Sequence, residues 1–256
     1  GLYTAYTGMI NEQNRMDIMT NNLANASTVG YKKEGSTSQS FDDVLTVKIK
    51  DQSVGMRNVQ RLGVKNPGVK IGENYTDYSQ GSFRITGNTY DLALSGEGFF
   101  AIEFTNKAGE TDTKYTRAGQ FTLNKDGYLV TEEGDYVLDT QNRRIRLNTL
   151  IDSSITDDGT IYQNGQAVAK IQVTDFEDYD YLEKYGETYY QPIQGAKTIA
   201  AKAQVKSGYL EMANVQIVSE MVNLISITRA YESNQKVVQT IDDTLDVAVN
   251  QIGRVQ

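Results

Sequence analysis

The stretch from Tyr209 to Ile252, YLEMANVQIVSEMVNLISITRAYESNQKVVQTIDDTLDVAVNQI, contains neither glycine nor proline. Within it apolar residues recur at every seventh position: Ile217, Leu224, Tyr231, Val238, Leu245 and Ile252. A row of that period stays on one helix face only when the helix is slightly underwound, as helices are when they coil around one another. Met221, Thr228, Gln235, Asp242 and Val249 form a companion row four residues on. Polar residues in such a row cost stability but restrict register, so Thr228, Gln235 and Asp242 are candidates for setting the axial stagger between subunits. A helix from Val215 to Ile252 would extend roughly 57 Å at ~1.5 Å per residue, well beyond an ordinary globular helix. It predicts a helical partner.

The start of the chain offers one. Leu2, Met9, Met16 and Leu23 form a second row of spacing seven, accompanied by Ala5, Met19 and Ala26, with Glu12 as the polar intruder. Gly8 interrupts the first turns, and the free run after it predicts a helix of roughly four to five turns. A short segment of this kind can also be an amphipathic helix lying on the protein's own core. The matching period at both termini favours pairing of the two helices as a coiled coil. The helix runs into Asn21-Asn22-Leu23-Ala24-Asn25-Ala26-Ser27-Thr28-Val29-Gly30-Tyr31-Lys32-Lys33. Side chains of Asn, Ser and Thr compete for backbone hydrogen bonds, and Gly30 can take the left-handed conformation that ends a helix.

Composition narrows the function. The 256 residues suffice for one large or two smaller domains, and the net charge is −8, from 25 basic against 33 acidic residues. No run of Lys or Arg makes a basic patch, so nucleic acid is not an expected partner. Cysteine, histidine and tryptophan are absent. That excludes disulfide frameworks, Ser-His-Asp triads and histidine zinc sites. No apolar stretch approaches the ~18 residues of a membrane span, and Gly1 to Gly8 lacks the regions of a cleaved signal. Membrane insertion is not expected, and any export should use another route.

Residues 34–86 are polar and weakly patterned, which predicts an extended connector with a short strand or two, such as Val44 to Ile49. From Tyr90 the period becomes two, and Asp126-Gly127, Asp158-Gly159 and Asn164-Gly165 are hairpin signals. These mark residues 87–207 as a mainly antiparallel β domain. The expected class is therefore α+β, with residues 1–33 and 208–256 forming a terminal helical domain. Gly96-Glu97-Gly98 superficially fits a dinucleotide fingerprint, but alternating aromatic residues follow where a helix is needed. Asp175 to Tyr190 carries six carboxylates among five tyrosines, and reads as a solvated loop rather than a calcium or glycosidase site. No catalytic, cofactor or metal residue is assigned.

Leu2-Tyr3-Thr4-Ala5, Thr7-Gly8-Met9, Asn21-Asn22-Leu23-Ala24-Asn25 and Gly30-Tyr31-Lys32 resemble the N-terminal signature of bacterial flagellar rod and hook proteins. Gly208-Tyr209-Leu210-Glu211, Asn214-Val215, Glu220 to Ile225 and Arg229 to Asn234 resemble that family's C-terminal block. Asp91 to Phe100, Tyr115 to Phe121 and Asp126 to Val130 match its β-domain motifs; residues 34–86 carry no equally clear one. Within the family, Arg229 to Glu232 and the overall length are most similar to the distal-rod branch, with the proximal-rod branch next. The resemblance implies a non-enzymatic axial protein of the basal body. Such a protein would be exported unfolded through the flagellar type III apparatus and polymerised with itself and adjacent rod and hook proteins into a torque-transmitting tube. The competing readings are a secreted carboxylate hydrolase and an adhesin on a coiled-coil stalk.

Overall fold

A computed structural model describes residues 2–41, 44–48, 60–65, 68–106 and 109–252. The chain divides into two units, one of residues 1–23, 34–77 and 217–256, the other of 24–33 and 78–216. The class is α+β, with a mainly antiparallel β portion between an N-terminal and a C-terminal helix.

In the first unit, helix α1 (Leu2–Ala24) continues straight through Gly8, which therefore does not interrupt it. Its buried residues are Ala5, Asn11, Ile18 and Asn22. Two of these meet the strand that follows, Ser38 Oγ bonding Asn11 Oδ1 at 3.1 Å and Asn22 bonding the Glu34 backbone, and the Tyr3 and Phe41 rings lie 6.3 Å apart. A β-ribbon occupies the stretch read from sequence as a connector. Strand Glu34–Ser40 pairs antiparallel with Val69–Thr76, and Val44–Lys48 pairs antiparallel with Gln60–Lys65. Ile49, at the end of the expected strand, lies outside the described residues. The second helix, α2 (Ile217–Val247), is followed by a π-helical turn from Ala248 to Ile252.

The second unit is built on a nine-stranded sheet around Phe99–Thr105, which pairs with Thr111–Thr116, Tyr136–Val137 and Val173–Phe176. Alternation sends successive residues of that strand to opposite faces. Phe100 joins Leu92, Leu94, Phe121, Leu129, Val137 and Ile161 in one core, whereas Phe99 and Ala101 join Tyr115, Leu138, Phe176, Leu182 and Tyr190 in the other. Both faces of the strand's first four residues, Phe99 to Ile102, are therefore covered.

The turn chemistry needs one refinement. Asn164 and Gly165 both have positive φ, at 50° and 75°, as a two-residue hairpin turn requires. At Asp126-Gly127 only the glycine is left-handed, and Asn124 N–H donates to Tyr128 O at 2.9 Å. This is a longer loop that places glycine after an ordinary turn.

Candidate functional site

Three parts of the molecule could carry its function: the faces of the two helices, the junction of the two chain ends, and a group of titratable side chains in the β unit.

On α2, Glu220, Leu224, Ile227, Tyr231, Asn234, Val238 and Ile241 are all buried or half-buried, and they alternate at spacings of four and three. Leu224, Tyr231 and Val238 of the expected heptad row thus lie on the inward stripe, while Ile217 and Leu245 are exposed. The companion row falls elsewhere. Met221, Gln235, Asp242 and Val249 are exposed, and Thr228 is half-buried with its hydroxyl donating to Leu224 O at 2.8 Å. The inward companion is Glu220, Ile227, Asn234 and Ile241, three residues after the row instead of four. The side chain of Ile252 lies outside the described residues.

The opposite side of α2 is apolar as well. Ile217, Val218, Met221, Val222 and Ile225 form one patch, with Val218 76% and Val222 57% exposed. On α1, Leu2, Tyr3, Tyr6 and Ile10 are exposed, while Met9, Met16, Met19 and Leu23 are half-buried.

Residues quoted above for the family resemblance meet inside the β unit. Glu211 has no exposed surface. Its Oε1 accepts from Lys32 Nζ at 2.6 Å and Gly81 N–H at 3.0 Å, and its Oε2 accepts from Arg117 Nη1 at 3.2 Å. Lys32 also donates to Ser79 O at 2.8 Å, and Arg117 Nη2 donates to Gly96 O at 2.8 Å. Backbone pairing reinforces the junction. Gly30 N–H donates to Glu211 O at 2.8 Å, Val29 bridges Met212, and Lys33 N–H donates to Asn214 Oδ1 at 2.7 Å. The segments by which the chain enters and leaves this unit are therefore tied side by side.

Single residues of the motif find separate tasks. Gly30 has φ +70°, and a Cβ there would fall 2.3 Å from Ala118 N. Tyr31 is fully buried beneath Lys184, whose Nζ lies 4.2 Å from the ring centroid. Asn22, in the first unit, clamps Glu34 from both sides, donating to its carbonyl at 2.8 Å and accepting from its N–H at 2.9 Å. Asn25 accepts from Thr28 N–H and from its hydroxyl, which turns the chain just after α1, while Asn21 and Ala24 are exposed. Sequence reading assigned this stretch a helix stop, but nothing in a single sequence links Lys32 to Glu211, 179 residues away.

Among the titratable groups, Tyr189 Oη lies 3.0 Å from Glu133 Oε2 and 2.9 Å from Asp135 Oδ2. Burial pushes the Asp135 carboxyl above the usual range, and burial with the neighbouring Asp135 and Glu133 charges drives the Tyr189 hydroxyl up. Burial would also raise Asp139. Bonds from the Arg143 and Gln141 backbone and the Arg143 guanidinium outweigh it and hold that carboxyl down. In the acidic stretch, Asp175 accepts from Phe176 N–H and Tyr179 Oη, and Asp178 caps the short helix Tyr179–Tyr181. Those carboxylates hold local structure.

Comparison with known proteins decides the family. Residues 2–32 match the family described as flagella basal body rod protein, 93–165 the flagellar hook protein FlgE/F/G D1 domain, and 206–252 the flagellar basal body rod FlgEFG protein C-terminal. A flagellar basal-body rod protein FlgG of Bacillus subtilis is 34% identical over 97% of this chain and 97% of its own. The chain belongs to the flagellar basal-body rod FlgE/F/G family. A FlgF of Caulobacter vibrioides is 32% identical over 99% of this chain and 98% of its own. The hook-basal body complex protein FlhO of Bacillus subtilis is 30% identical over 100% and 99%. As a member of the FlgE/F/G family the protein is a structural component of the basal-body rod, most like FlgG. The matched regions 2–32 and 206–252 include Lys32 and Glu211, so the family's two terminal blocks are the ones joined by the buried charges.

Proposed function

We propose that the chain is an axial subunit of the distal rod that polymerises with further copies of itself into a helical tube carrying torque toward the hook. The observation that carries this reading is the apolar patch of Ile217, Val218, Met221, Val222 and Ile225, which faces solvent on a helix already using its other face inside the unit. Exposed apolar patches on that scale mark interaction surfaces. The exposed members of the three sequence rows, Leu2, Ile217, Met221, Gln235, Asp242, Leu245 and Val249, extend the contact along both helices. The terminal helices pair within the subunit as a short coiled coil, with Gly8 against Asn234. Export through the flagellar apparatus, addition between neighbouring rod and hook proteins, and a position in the basal body beyond the cytoplasmic membrane complete the proposal.

Electron microscopy of the concentrated chain, with and without residues 1–23, tests it. The full chain should form tubes and the shortened chain none. Two equally monomeric proteins at every concentration would remove the reading's physical support.

A further inference from the structure

We infer that Tyr189 is a pH-sensitive clasp, in which Glu133 and Asp135 compete for one phenol hydrogen and a proton on Asp135 frees that hydrogen for Glu133. The clasp lies within the β unit and is independent of assembly. Tyr189 Oη has three oxygen neighbours, Asp135 Oδ2 at 2.9 Å, Glu133 Oε2 at 3.0 Å and Thr131 Oγ1 at 3.3 Å. A phenol donates one hydrogen, and an ionised carboxylate can only accept. With both carboxylates ionised, Tyr189 makes one linear hydrogen bond and its lone pairs face the other acid. With Asp135 protonated every contact is a hydrogen bond, because Asp135 donates to Tyr189 Oη and Tyr189 donates to Glu133.

The surroundings decide which carboxyl takes the proton. Asp135 is half-buried, whereas Glu133 is exposed and solvated. Burial raises Asp135 most, with a further push from the Glu133 charge, against the bonds from Tyr189 and the Thr105 N–H and the attraction of Lys114. Asp112 shares Lys114, and Glu132 and Arg84 line the cleft beside Tyr189. As pH rises through the folded value of Asp135, the phenol hydrogen passes to the Asp135 carboxylate and Glu133 is released to water. The clasp joins parts of the sheet that share no ladder, since Thr111–Thr116 and Phe99–Thr105 lie between the strand Tyr189–Pro192 and Tyr136–Val137. The turn carrying both acids is closed by its own backbone, Thr131 N–H donating to Asp135 O at 2.8 Å and Gly134 N–H to Thr131 O at 3.1 Å. Release of Glu133 therefore loosens the hold on Tyr189 without unfolding the turn.

Carbon-13 NMR of the side-chain carboxyls against pH tests this in the intact dilute chain, in EDTA so that no cation replaces the proton. The Asp135 signal should titrate above the ordinary carboxylate range, and the Glu133 signal should show a step at the same midpoint. Glu133→Gln removes the charged competitor and leaves the phenol to Asp135, so proton affinity at Asp135 should fall roughly tenfold, the size of one hydrogen bond to a charged group. In the Tyr189→Phe background the same replacement should change that affinity by less than about twofold, because an exposed charge acts weakly through solvent. An equal fall with and without the phenol would assign the effect to charge alone and overturn the inference. So would a Glu133 signal with no step at the Asp135 midpoint, a result read on the unaltered chain that needs no variant to fold.

Discussion

Replacing Glu211 by Gln removes one charge from the junction while keeping its shape. Glu211 takes two charged donors at 2.6 and 3.2 Å and one backbone N–H at 3.0 Å, and Lys32 and Arg117 are themselves buried. Glutamine would turn an amide donor toward one of those cations and leave both charges without their counterion. Breaking a buried pair by removing one partner costs about 3–5 kcal/mol. For a protein of this size, at ~2–4 °C per kcal/mol, Glu211→Gln should lower the melting temperature by about 10 °C. Calorimetry and urea unfolding followed by tyrosine circular dichroism should agree, with little change in the urea slope. A triple replacement of Lys32, Arg117 and Glu211 by Met should recover most of the loss, since an apolar substitute for a buried ion cluster is often neutral or better. A loss below about 1 kcal/mol in Glu211→Gln, the range of an ordinary hydrogen bond, would refute the reasoning. So would a triple variant no better than the single one.

Three further substitutions probe the same scaffold. Gly30→Ala combines a left-handed φ with a Cβ at 2.3 Å from Ala118 N, and should cost more than about 2 kcal/mol in chemical denaturation. Asn22→Ala leaves the Glu34 N–H and carbonyl without their side-chain partner and should cost about 1–3 kcal/mol, read as increased protease cleavage after α1. Asp135 and Asp139 should act with opposite signs on the pH dependence of stability. The raised Asp135 favours the folded state at low pH and loses that contribution as pH rises through its folded value, whereas the lowered Asp139 contributes above the ordinary carboxylate range and loses it as pH falls. Unfolding midpoints between about pH 3 and 7 should therefore show Asp135→Asn removing a decline toward neutral pH and Asp139→Asn removing a decline toward acid.

Much of the architecture can be read from residues alone, for reasons that also mark where reading stops. The long helix is legible because nothing in it breaks a helix, and the central β unit because period two and glycine turns recur together. A row of period seven has neighbours at both +3 and +4, and within the single subunit the +3 neighbours turn inward while the +4 row read from sequence stays largely exposed. Glu220 and Asn234 make the inward neighbour look polar, while Met221 and Val249 make the outward one look apolar. The strand at Val44–Lys48 was legible in the sequence, whereas Glu34–Ser40 and Val69–Thr76 were not, since neither has a continuously buried face to impose alternation. Lys32, Arg117 and Glu211 sit within recognisable motifs, but their union depends on chain closure across 94 and 179 residues, which no local pattern carries. The asparagines near Ala24 look like a helix stop and are one, yet Asn22 and Asn25 also fasten the chain that follows.

The account stands on the outward face of α2 being covered by further copies of the chain. Val222→Asp with Ile225→Asp tests this directly, because both side chains belong to the patch and are more than half exposed in the single subunit. Burying two carboxylates without partners costs several kcal/mol, enough to abolish assembly while sparing the monomer. Electron microscopy of the concentrated double variant should show no tubes, with the melting temperature of the dilute protein within a few degrees of the parent. Tubes of normal length and helical symmetry from the double variant would contradict the account.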